Sequence, residues 1–195
     1  MPQIVSQNLD NAKLEVQDLL KSFAESGGFS PEILAPAFGS DVNAEELQRL
    51  SQQFAQRDFS SWPGIEIRSG AELGGARGVY VLDQDKIYLA RELIESAASQ
   101  EIVALLLEEI GHGIDARINT TDSAGDEGAI FSALLRGEDL SAAALAALHQ
   151  EDDTVELVID GETLTGEANT LTVNTLTDVV NATDGVTSLR EALVS

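Results

Sequence analysis

The stretch "LLLEEIGHGIDARIN", residues 105–119, constrains the fold more than any other part of the chain. Its leucines and isoleucines recur at helical spacing, yet the same segment carries Glu108, Glu109, His112 and Asp115. A glycine stands on each side of its only histidine, although a glycine inside a helix costs about 1 kcal/mol relative to alanine. We therefore expect a central helix in which one imidazole has a special role.

The polar residues of this helix share one face. At about 100° per residue, Glu108, His112 and Asp115 fall within about 60° of one another. Four apolar residues gather on the opposite side: Val103, Leu107, Ile110 and Ile114. Glu108 and His112 are one turn apart, the spacing at which two side chains of one helix can bind the same metal ion. Periodicity alone favours the alternative, a solvated polar face with a weak Glu–His pair.

Composition excludes several classes of function. The chain has 195 residues, of which 43% are hydrophobic and 23% charged, a balance typical of globular proteins. A net charge of -23 repels the phosphates of nucleic acids, so no nucleic-acid partner is expected. The absence of cysteine excludes thiol catalysis, thiolate metal sites and disulfides.

The sequence contains no apolar run long enough to span a bilayer and no signal peptide at its start, so membrane insertion is not expected.

Local patterns predict an α+β fold in three segments. Residues 1–57 form an N-terminal helical segment, and residues 58–168 form a domain that ends in a hairpin. Within the domain, "IEIRS", "GVYVL" and "KIYLA" alternate as strands do and predict a small antiparallel sheet. The strongest hairpin signal is Asp160-Gly161, and residues 169–195 are predicted to be a short β-rich tail.

Capping residues predict where the helices begin and end. Asn43 is expected to cap a helix whose buried residues include Leu47 and Phe54, and Ser99 to cap the long helix over residues 100–118. The run "EGAIFSALLRG" should close at its final glycine, and "DLSAAALAALHQ" should form a short helix capped by Ser141.

The motif "EEIGH" resembles the H-E-x-x-H helix of zincin metallopeptidases, with glutamate in place of the first histidine. The preceding "GARGVYVLDQDKIYLARELI" resembles the zincin edge sheet, and the following "GDEGAIFSALL" resembles the helix that supplies an acidic third ligand in the glutamate-ligand branch. More closely, residues 58–137 resemble a module at the N-terminal end of large secreted bacterial proteins with hemolysin-type calcium-binding repeats. The tail "DVVNATDGVTSLREAL" resembles the S-L-R-E-A start of a parallel β-helix.

The resemblance implies a role for each matching residue. Glu108 stands at the first metal ligand, His112 at the second, and Glu109 at the general base. Glu127 is the best match to the third ligand, with Asp126 and Asp115 as competitors. His149, the other histidine, is more typical of a surface residue near a helix C-terminus.

The resemblance also implies a cofactor and two alternative functions. A divalent metal is expected, with zinc implied by the family, while the carboxylate at Glu108 makes manganese or calcium possible. The first hypothesis is a zincin-like peptidase acting on a peptide or protein substrate, with weak activity because two anionic ligands leave the bound water less acidic. The second is a non-catalytic N-terminal structural or interaction module of a secreted, calcium-associated, adhesin-like protein. A secreted or cell-surface location in bacteria is expected, a cytoplasmic one stays open, and the sequence does not indicate an oligomeric state.

Overall fold

Seven α-helices and a five-stranded sheet make up residues 2–169, the part of the chain that this computed structural model describes. The helices are α1 (Pro2–Glu25), α2 (Pro31–Phe38), α3 (Ala44–Ala55), α4 (Arg91–Ser96), α5 (Ser99–Ile118), α6 (Glu127–Arg136) and α7 (Ala142–Leu148). The strands are β1 (Gly64–Arg68), β2 (Gly78–Val81), β3 (Lys86–Ala90), β4 (Thr154–Ile159) and β5 (Glu162–Asn169). The predicted α+β class is confirmed at this level.

The sheet is mixed, so the prediction of an antiparallel sheet is wrong for one strand. The strand order is β1-β3-β2-β5-β4, and β1 pairs with β3 in parallel while the other pairs are antiparallel. The reason is that β1 does not pair with β2, the next strand along the chain. The connection over residues 69–77 leads from β1 to β2 and leaves room for one strand between them, which β3 occupies. The chain passes from β2 to β3 through a tight turn in which Asp85 adopts a left-handed conformation with φ 45°.

Helix α5 lies between the sheet and the other helices, in contact with β2, β5, α1 and α6. It is therefore buried on nearly every side, which explains why its apolar residues are not confined to one face. Val16 and Leu20 of α1 belong to the same hydrophobic core as Leu106 of α5 and Phe131 of α6. The polar face predicted for α5 is thus enclosed by protein.

An arginine near the end of α5 ties this helix to the sheet. Arg117 donates hydrogen bonds to the Asp85 carboxylate and to the carbonyl oxygens of Ser61 and Gly113. Tyr80 of β2 donates to the same Asp85 carboxylate at 3.2 Å. These bonds fix the orientation of α5 beneath the strands.

Several of the predicted caps are confirmed. Asn43 accepts a hydrogen bond from the Glu46 amide, Ser141 accepts one from the Ala144 amide, and Gly137 ends α6 in a left-handed conformation. The prediction for Ser99 is wrong: α5 already includes Ser99, and its N-cap is Ala98, for which the structure of residues 2–169 shows no side-chain capping bond. Glu101 supplies negative charge in the first turn instead, which stabilises a helix N-terminus.

The hairpin at Asp160-Gly161 forms as predicted, with both residues at positive φ, and β5 joins β4 to the rest of the sheet. The predicted β-helix-like tail lies outside the described residues, apart from Asn169 at the end of β5. Among the helices within residues 2–169, none combines the length and the apolar character that crossing a bilayer requires.

Candidate metal centre

His112 lies at the centre of the site, and its side chain is 1% exposed. Helix α6 approaches the ring closely because residue 128 is a glycine: a Cβ there would lie 2.6 Å from His112 Nε2. Gly111 makes the helix crossing possible, since a Cβ on it would lie 2.9 Å from Gly128 Cα. The glycine before the histidine therefore lets α5 and α6 close around the imidazole.

The two ring nitrogens of His112 have different environments. Nδ1 lies 2.7 Å from Glu127 Oε1, with which it forms a hydrogen bond, and 2.9 Å from Glu167 Oε2. Nε2 has no hydrogen-bond partner among residues 2–169, and Asp153 Oδ2 lies 3.8 Å from it. When the ring is neutral and its proton is on Nδ1, where Glu127 can accept it, the lone pair is on Nε2 and can bind a cation.

Carboxylates surround this ring in two groups. Glu108, His112 and Asp126 each place one potential ligand atom within 4.8 Å of the others, and so do His112, Glu127 and Glu167. The structure thus brings both Glu108 and Glu127 to His112, but in different groups. Asp126 is held in place as the N-cap of α6, where its Oδ1 accepts a hydrogen bond from the Ala129 amide at 2.7 Å.

Glu109, the predicted general base, is fully buried and lies against β2. It requires the glycine at position 78, where a Cβ would lie 2.3 Å from Glu109 Oε1. Neither of its carboxylate oxygens has a hydrogen-bond partner in the described part of the chain. Burial raises the pKa of Glu109 well above its ordinary value, although the nearby His112 opposes this rise. Burial therefore favours the protonated form of this carboxyl group more than water does.

Asp115, a competitor for the third ligand, makes a structural set of hydrogen bonds. Its carboxylate accepts from Asn119 Nδ2 at 2.7 Å, from Ser123 Oγ at 2.6 Å and from the Ser123 amide at 3.2 Å. It is also within 4.8 Å of potential ligand atoms of Asp122 and Glu127. These bonds show that Asp115 organises the loop after α5.

The charge balance of the site is strongly acidic. Burial raises the pKa of Asp126 and of Glu127, and it raises the pKa of Asp153 to about 7. Burial alone would lower the pKa of His112, but its hydrogen bond to Glu127, the close Glu167 carboxylate and the other neighbouring carboxylates raise that pKa well above its ordinary value. Within residues 2–169, the ion pairs of Glu127, Asp153 and Glu167 are with His112, and no lysine or arginine pairs with these carboxylates. Buried carboxylates need a compensating proton or cation.

The second histidine is remote from this chemistry. His149 is exposed at the C-cap of α7, and its Nε2 lies 2.8 Å from the carbonyl oxygen of Pro36. This is the surface position near a helix C-terminus that the sequence indicated.

Asp153 and Glu167 were not among the residues predicted for the site. They come from the segment before β4 and from β5, 41 and 55 positions after His112. In the pairing of β5 with β2, Glu167 lies opposite Tyr80, and this register brings the Glu167 carboxylate to α5. No local motif marks either residue, because their position depends on strand pairing between distant parts of the chain.

Comparison with protein-family models, curated protein sequences and solved structures finds no match to this chain. The similarity to zincin peptidases therefore stays a prediction. The structure itself shows a buried helix that carries Glu108, Glu109 and His112 against a mixed sheet, with an acidic helix start beside the ring.

Proposed function

We propose that the His112 centre binds one divalent cation and that the domain is a zincin-like metal-dependent peptidase. One observation carries the proposal: His112 Nε2 is buried among carboxylates and lacks a hydrogen-bond partner in residues 2–169, while Glu127 holds Nδ1. Histidines that bind metals characteristically donate their other ring N–H to a carboxylate, which fixes the orientation of the ring. A cation at Nε2 would also neutralise the surrounding negative charge.

The proposed ligands are Glu108, His112 and Asp126, whose potential donor atoms lie within 4.8 Å of one another. Glu127 takes the role of an orienting residue through its 2.7 Å hydrogen bond to Nδ1. One imidazole with two carboxylates suits manganese as well as zinc, because imidazole nitrogen favours transition metals and carboxylate oxygen favours harder cations. Calcium remains the alternative that the oxygen donors would accept.

Glu109 is the proposed general base. A bound divalent cation would act as a Lewis acid and lower the pKa of water at the site. Glu109 adjoins the proposed ligand Glu108 in the chain, and its raised pKa makes its carboxylate a stronger base than that of an exposed glutamate. The surrounding core excludes bulk water from this carboxyl group, since Glu109 is 0% exposed.

A second candidate function follows from the same burial. His112 is 1% exposed and Glu109 is 0% exposed, so the centre as it stands is closed to a peptide substrate. A closed metal site is typical of a structural role, whereas a catalytic site keeps an open coordination position. The alternative is therefore a non-catalytic, metal-stabilised module of a secreted, calcium-associated, adhesin-like protein, and a secreted or cell-surface location belongs to this proposal. The net charge of -23 is compatible with calcium-rich surroundings.

Metal binding is tested by comparing the two histidines. The metal content and metal affinity of the wild-type protein are measured with those of His112→Ala and of His149→Ala, the matched control. We expect about one equivalent of manganese or zinc in the wild type and the control, and a loss of binding in His112→Ala. Equal metal content in all three proteins, or none in the wild type, would refute the centre.

Catalysis is tested separately with Glu109→Gln, which preserves the shape of the side chain but removes the proton acceptor. Hydrolysis of a mixed peptide library is measured with manganese or zinc supplied. We expect slow hydrolysis by the wild type and none by Glu109→Gln at unchanged metal content. If metal-loaded wild type is as inert as the variant, the peptidase proposal fails and the non-catalytic module remains.

A further inference from the structure

The segment that leads into β4 brings one carboxylate to the far nitrogen of His112. Asp153 Oδ2 lies 3.8 Å from His112 Nε2, and its side chain is 10% exposed. Neither atom has a hydrogen-bond partner within the described residues. The separation is too long for a hydrogen bond, so the present contact does not satisfy either atom.

This separation fits a different arrangement. Two donor atoms that each bind one cation at about 2.0–2.4 Å lie roughly 3–4 Å apart, depending on the angle between the bonds. An imidazole nitrogen and a carboxylate oxygen 3.8 Å apart are therefore spaced like two ligands of one ion. The geometry points to Asp153 as a further ligand of the cation at His112, supplied by the C-terminal hairpin; this inference rests on the proposed metal centre.

Backbone hydrogen bonds at Asp153 and at Leu148 restrict the segment that carries Asp153. Its carbonyl oxygen accepts a hydrogen bond from the Ala168 amide of β5 at 2.9 Å. On the N-terminal side, the Leu148 carbonyl oxygen accepts one from the amide of Asp126 at 2.9 Å. The first bond restricts the backbone at Asp153, and the second ties the chain five residues earlier to Asp126, which lowers the entropic cost of bringing Asp153 to an ion.

The charge of Asp153 supports the same role. The buried imidazole of His112 lies close to the carboxylates of Asp153, Glu127 and Glu167. Within residues 2–169, the ion pair of Asp153 is with His112. A carboxylate in this position costs free energy unless a proton or cation accompanies it. A divalent ion at Nε2 would compensate Asp153 directly.

A consequence is that the cation clamps the hairpin to the helices. With His112, Asp153 would supply the ion with a ligand from a segment of the chain distant from α5. The β4–β5 hairpin becomes a cover whose position over α5 depends on the bound ion.

The experiment compares Asp153→Asn with Asp152→Asn, its exposed neighbour, as the control of the same chemistry. Asp152 Oδ1 accepts a hydrogen bond from the Thr154 amide at 3.2 Å, which asparagine can preserve. The full chain is titrated with manganese and with zinc. We expect at least a tenfold weaker affinity for Asp153→Asn and a change of less than about twofold for Asp152→Asn.

Hydrogen exchange provides the second measurement. Metal should slow exchange at the amides of β4 and β5 in the wild type and in Asp152→Asn, and should do so much less in Asp153→Asn. A second variant, Asp153→Ser, removes the reach of the side chain and should behave as Asp153→Asn does. Exchange in α5 without metal verifies that both variants are folded.

The outcomes separate this inference from the proposed function. If the wild type binds metal and Asp153→Asn binds it equally well, or if metal leaves exchange in the hairpin unchanged, Asp153 is not a ligand and the His112 centre stands without it. If the wild type binds no metal, both proposals are overturned. The clamp is supported if Asp153→Asn and Asp153→Ser bind metal more weakly and lose the protection of the hairpin, while Asp152→Asn does neither.

Discussion

At the scale of single residues, the glycines of the centre determine how closely its helices and strands approach. Gly111 and Gly128 face each other where α5 crosses α6, and Gly78 leaves room for the Glu109 carboxylate under β2. The cost of glycine inside α5 is thus offset by a contact that no other residue permits. The imidazole and its carboxylates can be enclosed only because these three side chains are absent.

Gly128→Ala tests this conclusion. The new Cβ would lie 2.6 Å from His112 Nε2 and 2.7 Å from the Glu108 carbonyl oxygen. Alanine would gain about 1 kcal/mol of helix propensity, but the clash with a backbone atom of α5 requires the two helices to separate. We expect a net loss of about 1–3 kcal/mol in the free energy of unfolding, measured by chemical denaturation, together with weaker metal binding.

Gly64→Ala is the control, because the closest atom to its Cβ is Lys86 Cγ at 3.9 Å, an ordinary contact. Its stability should stay within about 0.5 kcal/mol of the wild type. Equal stability of the two variants would mean that the close approach of α5 and α6 does not limit the structure.

At the scale of elements, Asp115 connects the end of α5 to the loop that leads to α6. Asp115→Ala removes the acceptor of three hydrogen bonds and leaves donors of Asn119 and Ser123 to find new partners. We expect the free energy of unfolding to fall by about 2–4 kcal/mol, since bonds to a charged acceptor contribute more than neutral ones. Thermal unfolding of Asp115→Ala and Asp115→Asn measures the effect.

Asp115→Asn retains one acceptor oxygen and should lose less stability than the alanine variant. Hydrogen exchange should accelerate mainly over residues 119–123. If Asp115→Ala unfolds at the wild-type temperature, the loop does not depend on this carboxylate.

Local signals in the sequence were sufficient for some elements and not for others. The caps at Asn43 and Ser141 and the Asp160-Gly161 turn depend on residues a few positions apart, and the structure confirms all three. Helix α2 was not predicted, although Ser30 caps it and a proline occupies its first turn. The parallel pairing of β1 with β3 could not be predicted from alternation, which indicates a strand but not its partner.

The same distinction applies to the candidate site. Glu108, Glu109 and His112 share one helix, so these residues could be proposed together from local spacing. Asp126 entered as a competing third ligand through the family resemblance, and its role as N-cap of α6 was not predicted. The burial of the polar face was not predicted, because it results from β5 and α6 closing over α5. Asp153 reaches His112 only through the pairing of β4 with β5 and of β5 with β2.

At the scale of the whole molecule, charge couples folding to protons and to metal. The chain carries 34 acidic and 11 basic side chains, and several of the acids are buried around one histidine. Burial raises the pKa of Glu109, Asp126 and Glu127, and that of Asp153 from 3.8 to about 7. In each case the folded state binds its proton more tightly than the unfolded chain does. His112 also has a raised pKa, so its proton favours the folded state in the same direction.

The metal-free protein should therefore lose stability as the pH rises. For a carboxyl whose pKa is raised on folding, the stabilisation is fully present below the unfolded value, near pH 4, and is lost as the pH rises through the folded value. For Asp153, whose pKa rises from 3.8 to about 7 on burial, this loss falls between about pH 4 and pH 7. We expect the melting temperature of the chelator-treated protein to fall between about pH 5 and pH 8.

Manganese or zinc should reverse this fall, because an ion replaces the lost protons and binds more tightly as its ligands deprotonate. The measurement is a pair of melting curves at each pH, with chelator and with metal, and their separation should widen towards pH 8. A chelator-treated protein that becomes more stable over that range, or a separation that narrows, would contradict a cation-neutralised core of buried carboxylates.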